Sequence, residues 1–148
     1  MNDKEELLQS AGKLKPASLE TYEEYKTKRN ILVGLINEKM EAREDLQQII
    51  GGGKLEMMKD NHGNHAQFIE SILYHYESAT LVDTVLWVYR TYLSHGFSQS
   101  YWNIMLNAWL PILHGQLSAK AFREIKPFYE WMIDNHSLFI SLSAQRHD

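Results

Sequence analysis

Cysteine is absent from this 148-residue chain, and proline occurs only at Pro16, Pro111 and Pro127. Without cysteine there is no disulfide framework, so side-chain packing alone must hold the fold. Long apolar runs are missing too. The two strongest stretches, 80–92 and 104–113, are interrupted by Asp83 and Arg90 and by Asn107 and Pro111. Each falls short of the roughly 20 residues that a membrane span needs. Positive charge is not in surplus: a net charge of -4 offers no basic field for a phosphate backbone, so neither nucleic acid nor a membrane is expected as a partner. Residues 1–15 begin acidic and carry no apolar signal core, which makes the cytoplasm the expected location. There is no phosphate loop and no nucleophile elbow. Period-two alternation never persists between turn signals, which argues against strands.

What is present is an ordinary globular balance, with 44% apolar and 23% charged residues. A single domain of this length buries roughly two-thirds of its unfolded surface. Charge and aromatic residues are segregated along it. Residues 1–60 hold 22 of the 34 Asp, Glu, Lys and Arg residues but only Tyr22 and Tyr25 among 17 aromatics. The first third therefore reads as a charged helical arm and the remainder as the core.

Within the arm, Leu19, Tyr22, Tyr25, Leu32, Leu35, Ile36, Met40, Leu46 and Ile49 recur at three and four. This spacing predicts one long helix over 18–50, with Thr21 and Glu24 as a capping box and Gly51, Gly52 and Gly53 as its stop. Ahead of it, 1–17 is a flexible segment or a short helix over 3–11 that ends before Gly12 and Pro16; 18–148 is a single all-α domain. Asn61 or Asn64 caps a helix over 65–78, Thr80 with Asp83 opens another that stops at Gly96, and Ser98 caps 99–114. Ser118 caps a last region reaching Leu142, in which Pro127 either kinks the helix or marks a new first turn. The expected architecture is a bundle of five to seven helices.

Seven histidines raise the question of a metal, but helical metal sites use Glu-x-x-His or His-Glu-x-x-His spacing and neither occurs. His62 and His65 are separated by Gly63 and Asn64 at the expected helix start, which suits caps better than ligands, so no metal is expected. His65 and His95 stand 30 residues apart on consecutive helical segments, a spacing similar to that of the distal and proximal histidines of haem-binding globins. They are the candidate cofactor-binding residues, although His95, beside Gly96, equally fits a helix C-terminus. An enzyme would need His65 to act with Asp60 or Glu70 as acid or base inside a pocket. The acids of the core region are sparse and suit surface positions, so no catalytic residues and no enzymatic activity are expected.

Trp87, Tyr89, Tyr92, Tyr101, Trp102, Trp109, Phe128, Tyr129 and Trp131 are dense enough that they cannot all point inward. They imply a self-association surface or, less directly, a ligand-lined pocket. Leu32, Leu35, Ile36, Met40, Arg43, Asp45 and Leu46, then Gly53, then Asp60, His65, Phe68, Ile69 and Ile72, then Val82, Asp83, Val85, Trp87, Leu93, His95 and Gly96 form a pattern of residue types. Over about 25–117 it resembles the helical, non-haem, globin-like sensor domains that bacteria place in front of cobalamin-binding or signalling modules.

That resemblance implies a globin-like bundle in which Asp60, His65 and Trp87 form a ligand or structural polar site. No output domain follows Leu142, which points to a stand-alone regulator. The combined expectation is a non-enzymatic sensory or protein-interaction module, a homodimer that also meets a protein signalling partner. The alternative is a globin-like carrier of haem or another apolar cofactor.

Overall fold

A computed structural model describes residues 2–144, among which the chain forms eight helices and no strand. They are α1 (Asp3–Ala11), α2 (Leu19–Glu41), α3 (Leu46–Ile50), α4 (Leu55–Tyr74), α5 (Ser78–Ser94), α6 (Tyr101–Gln116), α7 (Ala119–Asp134) and α8 (His136–Ala144). The all-α class agrees with the sequence reading, while the helix count exceeds the expected five to seven. α1 is an integral part of the domain, since Leu7 and Ala11 are fully buried.

Three boundaries differ from expectation. The helix expected over 18–50 breaks after Glu41, and the turn before Leu46 is braced by the Arg43 guanidinium, which grips Asp45 at 2.9 and 3.1 Å. The glycine stop falls where expected, with Gly51 and Gly53 at φ +88° and +76°, angles that favour glycine. α4 begins at Leu55 rather than at residue 65, so Asn61 and Asn64 lie inside a helix and cap nothing. Pro127 sits within α7, and the chain restarts at Asn135, whose side-chain amide donates to the Trp131 carbonyl. Pro111 and Pro127 both occupy exposed positions, where the carbonyl four residues earlier can be hydrated instead of bonded.

The capping arrangement is also different and reaches across the fold. Ser18, not Thr21, caps α2 by accepting from the Thr21 N–H at 3.2 Å, and Ser118 caps α7 through the Ala121 N–H at 3.1 Å. Six residues after each cap stands a glutamate that serves the opposite helix. Glu124 accepts from the Ser18 N–H at 2.7 Å, and Glu24 accepts from the Ser118 N–H and hydroxyl at 2.6 and 2.7 Å. Each helix start thus receives an acceptor and a negative charge from the other.

Packing divides the helices into two groups. α2 lies against α4, α6 and α7, with α6 on α7; α1 lies against α5 and α8, with α5 on α8; α7 bridges the two groups by meeting α8 and by the Trp131 indole donating to the Ser10 hydroxyl of α1 at 2.8 Å. Trp109, Tyr25, Tyr101 and Tyr129 are fully buried in the first group, whereas Tyr89 stacks between Trp102 and Phe139 and so spans both. Of the nine clustered aromatics expected to exceed the interior, only Trp87 is exposed, at 62%. The core absorbs the others because they stack edge to face across several helices instead of competing for one face. No helix among the described residues is long and apolar enough to cross a membrane.

Candidate ligand-binding site

The buried stripe of α4 runs through Met58, Asn61, His62, Ala66, Ile69, Ile72 and Leu73. Spacings of three and four put two of its polar residues on the face that meets the core. These groups find partners inside the protein. Asn61 Oδ1 accepts from the Tyr101 hydroxyl at 2.6 Å, His62 Nδ1 meets Asn37 Oδ1 at 2.7 Å, and His65 Nε2 meets the Tyr129 hydroxyl at 2.7 Å. The His65 ring also packs against Trp109 and Tyr129, at centroid distances of 5.3 and 5.4 Å. Burial pushes the His62 imidazole down to about 4 and that of His65 to about 3, with His62 adding to the latter, so both rings are neutral at ordinary pH.

Between α4 and α5, closed by Trp102, Met105 and Leu106 of α6 and Met132 of α7, lies a pocket of about 170 Å³. α4 contributes Asn61, Asn64, His65 and Phe68; α5 contributes Thr84, Val85, Trp87, Val88, Tyr89 and Tyr92. The wall is mostly apolar and, among the described residues, contains no Asp, Glu, Lys or Arg. Trp87, exposed yet lining the pocket, stands at its rim. Tyr89 is held in place by the His136 Nδ1 contact at 2.7 Å and by stacking on Trp102 at 4.1 Å. Burial raises the Tyr92 hydroxyl, the Asp60 charge adding to this and the Asn61 and Asn64 amides opposing it. Among the described residues, the indole N–H groups of Trp102 and Trp109 are enclosed without an acceptor, and His62 Nε2 is enclosed without a partner.

Two of the sequence-derived site residues, His65 and Trp87, therefore meet at one pocket. Asp60 does not: it is exposed and faces a separate groove with Arg29 and Lys59. His95 is exposed at the C-terminal cap of α5, away from the pocket, because Gly96 at φ +94° turns the chain there. The two histidines are not brought together to hold a cofactor, and His65 Nε2, the nitrogen a metal would need, is engaged by Tyr129. A pocket of about 170 Å³ also lies below the roughly 300–1,000 Å³ usual for drug-sized ligands, so haem does not fit this arrangement. Of the acids considered as partners for His65, Glu70 bonds Arg29 at 3.0 Å and is not among the residues lining the pocket. No group of three or more metal-capable side chains converges among the described residues.

Sequence reasoning missed Tyr129, Asn61 and Trp102. The signal for Asn61 was available in the register of Met58, Ala66 and Ile69, but Gly63 and the two asparagines masked the helix that carries it. Tyr129 and Trp102 looked like core residues, which they are; their role comes from facing α4. Fold and site together define a single-domain all-α protein with a small, mostly apolar, partly open pocket at a helix seam. No family model matches the chain, and no curated protein or solved structure matches it.

Proposed function

We propose that the protein is a non-enzymatic, cytoplasmic sensory module that reports occupancy of the pocket between α4 and α5, in keeping with its resemblance to helical sensor domains. The observation that carries this reading is the position of the pocket at the seam between the two helix groups. α5 forms one wall and packs on α1 and α8, while the other walls belong to the group built around α2. A molecule lodged there contacts both groups at once, and its binding energy biases how they sit together.

The same reading includes assembly as a homodimer and contact with a signalling partner. Leu19 and Tyr74 are 68% and 69% exposed, and the Tyr74 ring lies 5.0 Å from that of Tyr22, one turn along α2 from Leu19. This apolar patch is the surface on which self-association is proposed.

Native mass spectrometry of gently purified full-length protein tests both parts. A retained small mass that disappears in Val88→Trp, which fills the pocket, supports the sensor. A ligand-free monomer whose Trp87 indole signal is also unmoved by saturating benzene overturns it.

A further inference from the structure

Resting on that sensory reading, we propose that the occupant is a small uncharged molecule, mainly apolar, whose carbonyl-type oxygen accepts a hydrogen bond from His65 Nδ1. The tautomer follows from Tyr129. Its hydroxyl is fully buried, and its one hydrogen bond among the described residues is to His65 Nε2. If Nε2 carried the proton, the Tyr129 O–H would be left without an acceptor in a dry interior. The Tyr129 hydroxyl therefore donates to Nε2, and the proton of the neutral imidazole resides on Nδ1. Nδ1 makes no hydrogen bond among the described residues and is not sealed off, as the indole nitrogens are. Because His65 lines the pocket, this donor, fixed in direction by the Tyr129 and Trp109 contacts, is available to an occupant, on a mostly apolar wall whose other polar members include Asn61, Asn64, Thr84 and Tyr92.

Size and charge narrow the class further. Apolar cavities of about 150 Å³ take up benzene, so about 170 Å³ suits a single ring or a short branched chain. Among the described residues, no cationic side chain lines the pocket to repay the desolvation of an anion, and no carboxylate lines it to do so for a cation. A neutral ketone, aldehyde or lactone meets these conditions.

Cyclohexanone, methylcyclohexane and cyclohexylammonium, which have equal numbers of heavy atoms, separate the possibilities when titrated into ¹⁵N-labelled full-length protein. Cyclohexanone is expected to bind at least about fivefold more tightly than methylcyclohexane, the worth of one net hydrogen bond. It should also move the His65 Nδ1 signal, while the ammonium leaves the spectrum unchanged. In His65→Phe the preference for the ketone should vanish while the hydrocarbon still binds. If that variant does not fold, the His65 Nδ1 resonance of the parent protein decides, since a ring protonated at Nε2 overturns the assignment. Equal affinity for ketone and hydrocarbon overturns the hydrogen-bonding claim and leaves the sensory reading standing. Binding of the ammonium overturns the claim of neutrality. Silence from all three overturns the pocket reading itself.

Discussion

Lowering the pH from 8 to 5 is expected to remove about 4 kcal/mol of stability through two histidines of α4. Burial holds His62 at about 4 and His65 at about 3, against 6.5 for an unperturbed imidazole. A depressed histidine leaves the unfolded chain free to take up a proton that the folded chain refuses. The stability is therefore complete above pH 6.5 and drains away as the pH falls toward the folded values. At pH 5 the unfolded chain gains about 2 kcal/mol per histidine from this uptake, because nearly all of its imidazole is protonated and almost none of the folded protein's is. Moving either folded value by half a unit changes little, since both lie below the range scanned. Burial also lowers His136, in the same direction. Asp45, held down by the Arg43 bond, and Glu124, where burial is outweighed by the Ser18 and Thr21 bonds and Lys120, act only below their usual values of 3.8 and 4.5. The window between pH 6.5 and 5 thus belongs to the imidazoles. Urea unfolding followed by circular dichroism at pH 8, 7, 6 and 5 measures the slope, and His62→Phe should roughly halve it. A stability that stays level from pH 7 to 5, or imidazole signals that titrate near 6.5 in the folded protein, would refute the reasoning.

Replacing His65 or Tyr129 singly by Phe should cost about 1–3 kcal/mol, because each leaves a buried polar partner unmatched. The double substitution should cost clearly less than the sum in a denaturant cycle, and strict additivity would deny the bond between them. Ser118→Ala removes the cap of α7 and a partner of Glu24, and should cost about 1–2 kcal/mol. That is a fall of about 2–4 °C per kcal/mol in Tm; an unchanged Tm would count against the crossed caps. Trp87→Ala, at an exposed rim position, should change stability by less than about 0.5 kcal/mol. The same change should reduce the fluorescence response to cyclohexanone to the part reported by Trp102, and a response left undiminished would deny Trp87 a place at the rim. Hemin is expected to give no absorbance shift that His65→Ala or His95→Ala removes; a shift that either variant abolishes would restore the carrier.

The parts of the fold that were legible follow the places where chemistry repeats at helical spacing or glycine interrupts it. Leu32, Ile36 and Met40 announced α2, and Gly51, Gly53 and Gly96 marked turns because three residues with positive φ stand there. The start of α4 was hidden since Asn61, His62, Gly63 and Asn64 have low helix propensity, and burial on a shared face overrode it. Glu24 and Glu124 could not be paired from sequence, as the partners lie 94 and 106 residues away. For the site, His65 was visible as part of a polar cluster beginning at Asp60. Its meeting with Trp87 depended on how α5 lies against α4, which local spacing does not encode. The link from His95 to His65 rested on separation along the chain, and separation says nothing of direction once a helix ends between them.

The polar residues of α4 and the pocket are best understood as one construction. An all-leucine stripe would have been cheaper, because desolvating His62, His65 and Asn61 sacrifices hydration that their internal bonds only partly restore. In exchange each bond fixes a neighbouring element: Asn37 ties α2, Tyr101 ties α6 and Tyr129 ties α7 to the same helix. α5 shares none of these three ties and is anchored instead on α1 and α8. The pocket opens where the group bonded through α4 meets the group bonded separately, through Tyr89 to His136 and Lys4 to Asp83. A ligand present at a hundred times its Kd contributes about 2.7 kcal/mol to whichever arrangement it binds. On the proposed sensory reading, that would shift an equilibrium between two placements of α5 by about a hundredfold, so a weak apolar ligand would suffice.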